Sequence, residues 1–293
     1  MFRRTAALGK PMLSLCIALS AVLGYGLARS ALDRDAVILG ALVWALSMGA
    51  AALNNVQDRD YDRQFTRTRN RVLVRGEVSV ALALGGGVIL IGTSLILLYK
   101  IFGPLGPWLP GLGGILCYNA LYTPLKKKTL VALIPGVACG MLPPVMGWTA
   151  AAGQGIWADP LGLYLLMLVM GVWQVAHFFV IQVRTPMPDL ARAYPVLTRN
   201  LSPAGLSHQV FLWTSLYSLA LFLFVIHNAV AYSGCALAVG VNAALVPLMV
   251  GGLLWQRSAL RPAVDPVLCH GVITLSLVGF MVTGLYDCFI RWA

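Results

Sequence analysis

Residues 36–62 read AVILGALVWALSMGAAALNNVQDRDYD, and they decide the fold. From Ala36 to Leu53 no residue is charged, and the next turns carry Asn54, Asn55, Asp58, Asp60 and Asp62. A bilayer core takes about 20 apolar residues per helical crossing. The stretch is therefore read as a transmembrane helix that runs without a break into an acidic end. Runs of similar length recur outward from it. With this one they make nine expected spans: Pro11 to Leu27, Ala36 to Leu53, Val78 to Leu98, Leu105 to Tyr122, Leu130 to Ala150, Leu161 to Val183, Ser207 to His227, Cys235 to Trp255 and Val267 to Ile290. Of the 293 residues 59% are hydrophobic and 11% charged, against about 25% charged in soluble domains. A soluble fold is excluded. The expected class is all-α, a polytopic membrane bundle forming one domain over 1–293.

Lys and Arg accumulate in cytoplasmic loops. With nine spans and the N-terminus inside, all of the 21 Lys and Arg residues except Arg29, Arg34, Lys100 and Arg291 fall on the inner side. The expected location is the cytoplasmic (inner) membrane, with Asn54 to Arg75 on its cytoplasmic face. Arg3, Arg4 and Lys10 resemble the charged leader of a signal peptide, but no small-residue cleavage site follows, so the first span is read as retained. The net charge of +11 is thus assigned to topology and an anionic ligand, and nucleic acid is not expected as a partner. Cys16, Cys117, Cys139, Cys235, Cys269 and Cys288 all lie in spans without a CxxC pair, which argues against a disulfide framework or a zinc site. Gly136 and Gly140 form a small-xxx-small pair suited to close helix packing, and Pro143 and Pro144 are expected to kink the same span.

Asn54, Asp58 and Asp62 are spaced i, i+4, i+8, which keeps them within about 80° on one helix face. Hard oxygen ligands on a rigid helix suit Mg²⁺, which takes one or two carboxylates and fills its shell with water and phosphate oxygens. Arg67, Arg69 and Arg71 follow, and guanidinium groups bind phosphate in bidentate fashion. Carboxylates, metal and arginines together describe a diphosphate site.

These residues resemble the first signature, N-D-x-x-D-x-x-x-D, of the UbiA superfamily of intramembrane prenyltransferases, with Asn55 in the second place. Within it, Asp58-Arg59-Asp60-Tyr61-Asp62 and Arg67-Thr68-Arg69-Asn70-Arg71 are most similar to the heme O synthase branch, although Val72 stands where that branch has proline. Two further blocks agree: Tyr122 to Thr129 with Pro143-Pro144-Val145-Met146-Gly147-Trp148, and His177-Phe178-Phe179. The departures are Ala132, in place of the usual Asn, and the segment after His177. There Asp189 is shifted by about one residue and is followed by Leu190 rather than Tyr.

The resemblance implies transfer of a farnesyl group from farnesyl diphosphate to a vinyl group of heme b, giving heme O. It implies Mg²⁺ held by Asn54, Asp58, Asp62 and Asp189, and diphosphate charge offset by Arg67, Arg71 and Lys126. His177 is implied as a contact to heme b, the acceptor substrate. The implied partners are the bilayer, farnesyl diphosphate, heme b, and downstream heme-modifying enzymes or terminal oxidase assembly receiving the product. Prenylation of a phenolic quinone precursor, or non-catalytic binding of heme or an isoprenoid, stays open at this level.

Overall fold

A computed structural model of the chain describes residues 8–66, 68–152, 160–184, 201–256 and 266–292. The described residues form α1 (Pro11–Arg29), α2 (Arg34–Asp62), α3 (Val80–Phe102), α4 (Trp108–Ile115), a π-helical segment (Leu116–Tyr122), α5 (Thr123–Leu125), a 3-10 turn (Leu130–Ala132) and α6 (Leu133–Ala152). They continue as α7 (Leu161–Arg184), α8 (Pro203–Ile226), α9 (Ser233–Gln256) and α10 (Pro266–Trp292). Residues 1–158 and 159–293 form two compact units.

Among the described residues eight helices are long and apolar enough to cross a membrane. The exception among the nine expected spans is Leu105 to Tyr122. Ile115, Leu116, Tyr122 and Thr123 all keep right-handed helical backbone angles, so the chain path stays helical, but its middle is wound as π-helix between α4 and α5. An apolar count sees only the length of such a run. The wider turn depends on what the segment packs against.

In the first unit α1 packs on α6 and α2, and α2 packs on α3. Ala18, Ala21, Tyr25, Leu39, Val43, Leu46, Met146 and Ala150 make one buried cluster. Small residues let these helices touch backbone to backbone. A Cβ on Gly147 would lie 1.8 Å from the Ala21 carbonyl oxygen, and one on Gly24 would lie 2.2 Å from that of Pro144. The expected Gly136 position also packs closely, but against the Tyr122 ring. Pro143 and Pro144 are buried inside α6, which stays helical through both. Exposed Leu82, Val88, Ile89 and Ile96 on α3 provide an apolar surface of the kind lipid chains cover.

α2 is fixed at its start by Asp33, which accepts the backbone N–H groups of Asp35 at 3.0 Å and Ala36 at 3.3 Å. The buried Tyr25 hydroxyl donates to the same carboxylate at 2.8 Å, and Arg29 pairs with it. Side-chain caps of this kind are worth about 1 kcal/mol.

In the second unit α7 packs on α8 and α10, and α9 packs on α8 and α10. Asp287 on α10 is fully buried, accepts the N–H groups of Tyr232 at 2.7 Å and Ala231 at 3.3 Å, and pairs with Arg291 at 2.6 Å. It thereby holds the α8–α9 connection. All six cysteines are free thiols, with Cys235, Cys269 and Cys288 buried and the other three partly so.

Candidate metal and diphosphate site

The last two turns of α2 carry the site. Asn54, Asp58 and Asp62 are 2%, 3% and 5% exposed, whereas the Asp60 side chain is 85% exposed. Helix geometry puts the two sets on opposite faces. Burying two carboxylates is costly unless cations and hydrogen bonds compensate.

The cations come from three places in the chain. Lys126, just past α5, donates to Asp58 Oδ2 at 2.5 Å. Lys127 lies 3.0 Å from Asp58 Oδ1. That oxygen accepts no aligned hydrogen bond, so the contact is coulombic. Arg71 binds Asp62 Oδ2 at 2.5 Å and reaches Asn55 Oδ1 at 3.4 Å. Lys10, immediately before α1, donates to Asn54 Oδ1 at 3.2 Å. Burial pushes the Lys10 ammonium down to about 8, helped by repulsion from Arg71 and Lys126. Burial also lowers Lys126, against the pull of Asp58.

Local structure explains each position. Past the end of α2 the Thr68 hydroxyl donates to the Asp62 carbonyl at 3.0 Å, folding the chain back so that Arg71 lies over Asp62. Leu73 and Val78 anchor that loop by packing with Leu8, Ala52 and Ala83. On the other side, the π segment presents Asn119, which donates to the Ala50 carbonyl at 3.0 Å and exchanges hydrogen bonds with Gln57. Thr123 donates to the Tyr118 carbonyl at 2.8 Å and accepts from Asn54 Nδ2 at 3.0 Å. These bonds carry the turn with Lys126 and Lys127 onto α2. π turns occur often where a helix serves a site.

The structure thus brings together Asn54, Asp58, Asp62, Arg71 and Lys126 from the expected set. Arg67 and Asp189 lie outside the described residues. His177 is on α7 in the second unit, stacked on Trp173 with ring centroids 4.7 Å apart and 5.0 Å from His270. Sequence reasoning missed Lys10, Lys127, Gln57, Asn119 and Thr123 as site residues. A lysine before a helix or an amide within one carries no signal until the helices meet, although the Lys126-Lys127-Lys128 run was legible as charge.

The donor set fits Mg²⁺. Asp58 and Asp62 offer two carboxylates, and Asp58 Oδ1 is a buried acceptor without a hydrogen bond. No group of three or more His, Cys, Asp or Glu able to hold a metal exists among the described residues. Binding there relies on phosphate oxygens and water to complete the shell, as Mg²⁺ usually does. Asn54 turns its amide nitrogen toward Asp58 Oδ2 at 2.9 Å and its oxygen toward Lys10.

The profile of the UbiA prenyltransferase family matches residues 13–265. A protein from Geobacter sulfurreducens named protoheme IX farnesyltransferase is 40% identical over 217 residues, covering 73% of this chain and 77% of that protein. One of the same name from Oleidesulfovibrio alaskensis is 32% identical over 239 residues, covering 82% and 83%. Among solved structures, a UbiA homolog from Archaeoglobus fulgidus bound to GPP and Mg²⁺ superposes with a TM-score of 0.68 at 14% identity, covering 97% of this chain and 99% of that one. The apo structure of a UbiA homolog from Aeropyrum pernix K1 gives 0.69 at 20% identity, covering 93% and 98%.

Proposed function

The chain belongs to the UbiA prenyltransferase family, and on that premise we propose that it transfers a farnesyl group from farnesyl diphosphate to a vinyl group of heme b, giving heme O. The observation that carries the reaction type is the pair of buried carboxylates, Asp58 and Asp62, each engaged by cations that can also bind phosphate. The similarity to protoheme IX farnesyltransferases supports the acceptor. The family profile runs from residue 13 to 265, across both compact units, which supports reading the chain as one catalytic domain.

In this reading Asp58 and Asp62 hold Mg²⁺, with Asn54 positioning Asp58 and Asp189 as a further ligand. Bound there, Mg²⁺ supplies Lewis-acid polarisation of the diphosphate oxygens. Arg71 and Lys126 leave or share their carboxylates to bind diphosphate oxygens, and Arg67 adds a further cation, stabilising the charge that develops as the allylic C–O bond breaks. The apolar helices take the isoprenoid tail and exclude water, so the allylic cation is not captured early. The allylic carbon then bonds to the terminal vinyl carbon of the acceptor. Water adds to the adjacent carbon and loses a proton, leaving the hydroxyl of the product. His177 holds heme b. The active site faces the cytoplasm in the inner membrane, and the product passes to downstream heme-modifying enzymes or oxidase assembly.

Mass spectrometry of purified protein incubated with farnesyl diphosphate and Mg²⁺ tests the proposal, with heme b and 4-hydroxybenzoate supplied in parallel. A farnesylated, hydrated heme is the expected product. A prenylated phenol with unchanged heme refutes the acceptor and leaves the prenyltransferase; no product from either refutes both.

A further inference from the structure

Among the described residues three other than glycine have positive φ: Lys10, Ser30 and Asn228. Ser30 and Asn228 follow the ends of α1 and α8, where the left-handed conformation is a common way to stop a helix. Lys10 instead precedes α1, at φ 46° and ψ 60°, whereas the residue before a helix is normally extended. A long side chain on such a backbone is strained, and strain of this kind persists only where the surroundings over-determine it.

The surroundings do so here. The Leu8 carbonyl accepts the Asn55 amide at 2.8 Å, that of Gly9 the Ser14 hydroxyl at 2.8 Å, that of Lys10 the Ser14 N–H at 3.0 Å, and that of Pro11 the Trp44 indole N–H at 3.0 Å. Leu8 is buried with Ala52, Leu73 and Val78, and Gly9 lies against Met48, whose Cε a Cβ there would meet at 2.9 Å. The turn is thus fastened to α2 on both sides of Lys10. What it places is one amine: Lys10 Nζ donates to Asn54 Oδ1 at 3.2 Å, and the Asn54 amide nitrogen lies 2.9 Å from Asp58 Oδ2. Lys10 differs from the other cations of the site in its partner. Lys126 and Lys127 pair with Asp58, and Arg71 pairs with Asp62. Lys10 meets a neutral amide oxygen instead, and Arg71 and Lys126 repel it. An ammonium gathered beside two others and a guanidinium, over two carboxylates, leaves a surplus of positive charge that suits a multiply charged anion. Lys10 can turn to that anion without abandoning a carboxylate.

We infer that Lys10 is a further diphosphate-binding residue, held in a strained turn so that its ammonium can leave Asn54 Oδ1 and bind the donor's diphosphate oxygens directly, without the metal as intermediary. This rests on the reading of farnesyl diphosphate as the donor. The same exchange releases the Asn54 oxygen, which then becomes available to the metal. Strain in the backbone and a neutral partner for the ammonium are two sides of one arrangement: the ligand-free chain holds the cation ready without satisfying it.

Isothermal titration of the full-length protein in detergent with inorganic diphosphate and with farnesyl thiodiphosphate, each without metal and again with Mg²⁺, tests the inference. Ferric heme b, followed by Soret absorption, serves as the control ligand. Lys10→Met should weaken both diphosphates about tenfold in either condition, the lower end for a hydrogen bond to a charged group, because the wild type gives up its bond to Asn54 to form the new one. Lys10→Gly should weaken them equally while keeping or raising the thermal unfolding midpoint, since glycine adopts the left-handed backbone without strain. Heme b should bind both variants as it binds wild type.

Wild-type affinity for both diphosphates in Lys10→Met would overturn the inference and leave Lys10 as a packing residue, while the donor assignment stands. A loss confined to the Mg²⁺ condition would overturn it as well, since Lys10 would then act through Asn54 and the metal. So would weaker heme binding with unchanged diphosphate affinity, which assigns the ammonium to an acceptor carboxylate. Equal losses for all three ligands, with a lowered midpoint in both variants, mean collapse of the site and overturn it too. A wild type that binds neither diphosphate overturns the donor reading itself.

Discussion

Lys126→Met should strengthen the binding of Mg²⁺ alone, although it removes a residue that serves the same site. In the ligand-free arrangement Lys126 donates to Asp58 Oδ2 at 2.5 Å, with the two side chains only 15% and 4% exposed. Solvent screening is therefore weak, and the metal must displace an ammonium that gains no new partner. A hydrogen bond to a charged group contributes about 1.5–3 kcal/mol. Lys127, 3.0 Å from the other oxygen, remains to re-pair with Asp58, so the lower end applies. About 1.5 kcal/mol corresponds to roughly tenfold in affinity. Diphosphate has the opposite requirement, since it loses a cation in the variant. Isothermal titration at constant ionic strength should show Mg²⁺ binding about tenfold tighter to Lys126→Met than to wild type, by the arithmetic above. Metal-free farnesyl thiodiphosphate should bind more weakly, and the mutual enhancement between the two ligands should shrink. Unchanged or weaker Mg²⁺ binding in the variant would refute the argument that the site is closed by its own cations.

Three other outcomes follow from the same geometry. Asp58→Asn and Asp62→Asn should each abolish turnover, whereas Asp60→Asn, on the exposed face, should retain most of it; equal losses in a product assay would contradict the one-face arrangement. Gly147→Ala should lower the thermal unfolding midpoint in detergent, because its Cβ meets the Ala21 carbonyl oxygen at 1.8 Å and overpacking costs about 1–3 kcal/mol or more, while Gly114→Ala, with open space at its Cβ, should leave the midpoint near wild type. Reporter fusions after Arg75 and Lys128 should read as cytoplasmic and a fusion after Arg34 as the opposite side; a cytoplasmic signal at Arg34 would remove the orientation argument.

The sequence showed the face of α2 well, because three polar residues at a four-residue spacing in a membrane-length helix have few other uses. Arg71 and Lys126 could be named with it because they stand in blocks that resemble a family. What the sequence hid was whatever depends on a second helix. Thr123 and Asn119 matter only because the π segment lies against α2. Of the glycines in α6, Gly136 meets the Tyr122 ring, whereas the backbone contacts between α1 and α6 fall at Gly24 and Gly147, which a spacing rule within one helix does not single out. Gly147 also shows that a residue inside a family block can serve close helix packing.

The length of α2 has one further consequence. Its 29 residues make a rod of about 43 Å, and a hydrocarbon layer is about 30 Å thick. If the apolar stretch from Ala36 to Leu53 fills that layer, the turns bearing Asn54, Asp58 and Asp62 stand in the headgroup zone, where water and ions have access. A single rigid element then belongs to two solvents. An amphiphile can exchange its charged head with the aqueous phase at one end of the helix while its chain never leaves oil, so capture of such a substrate becomes a search in two dimensions rather than three.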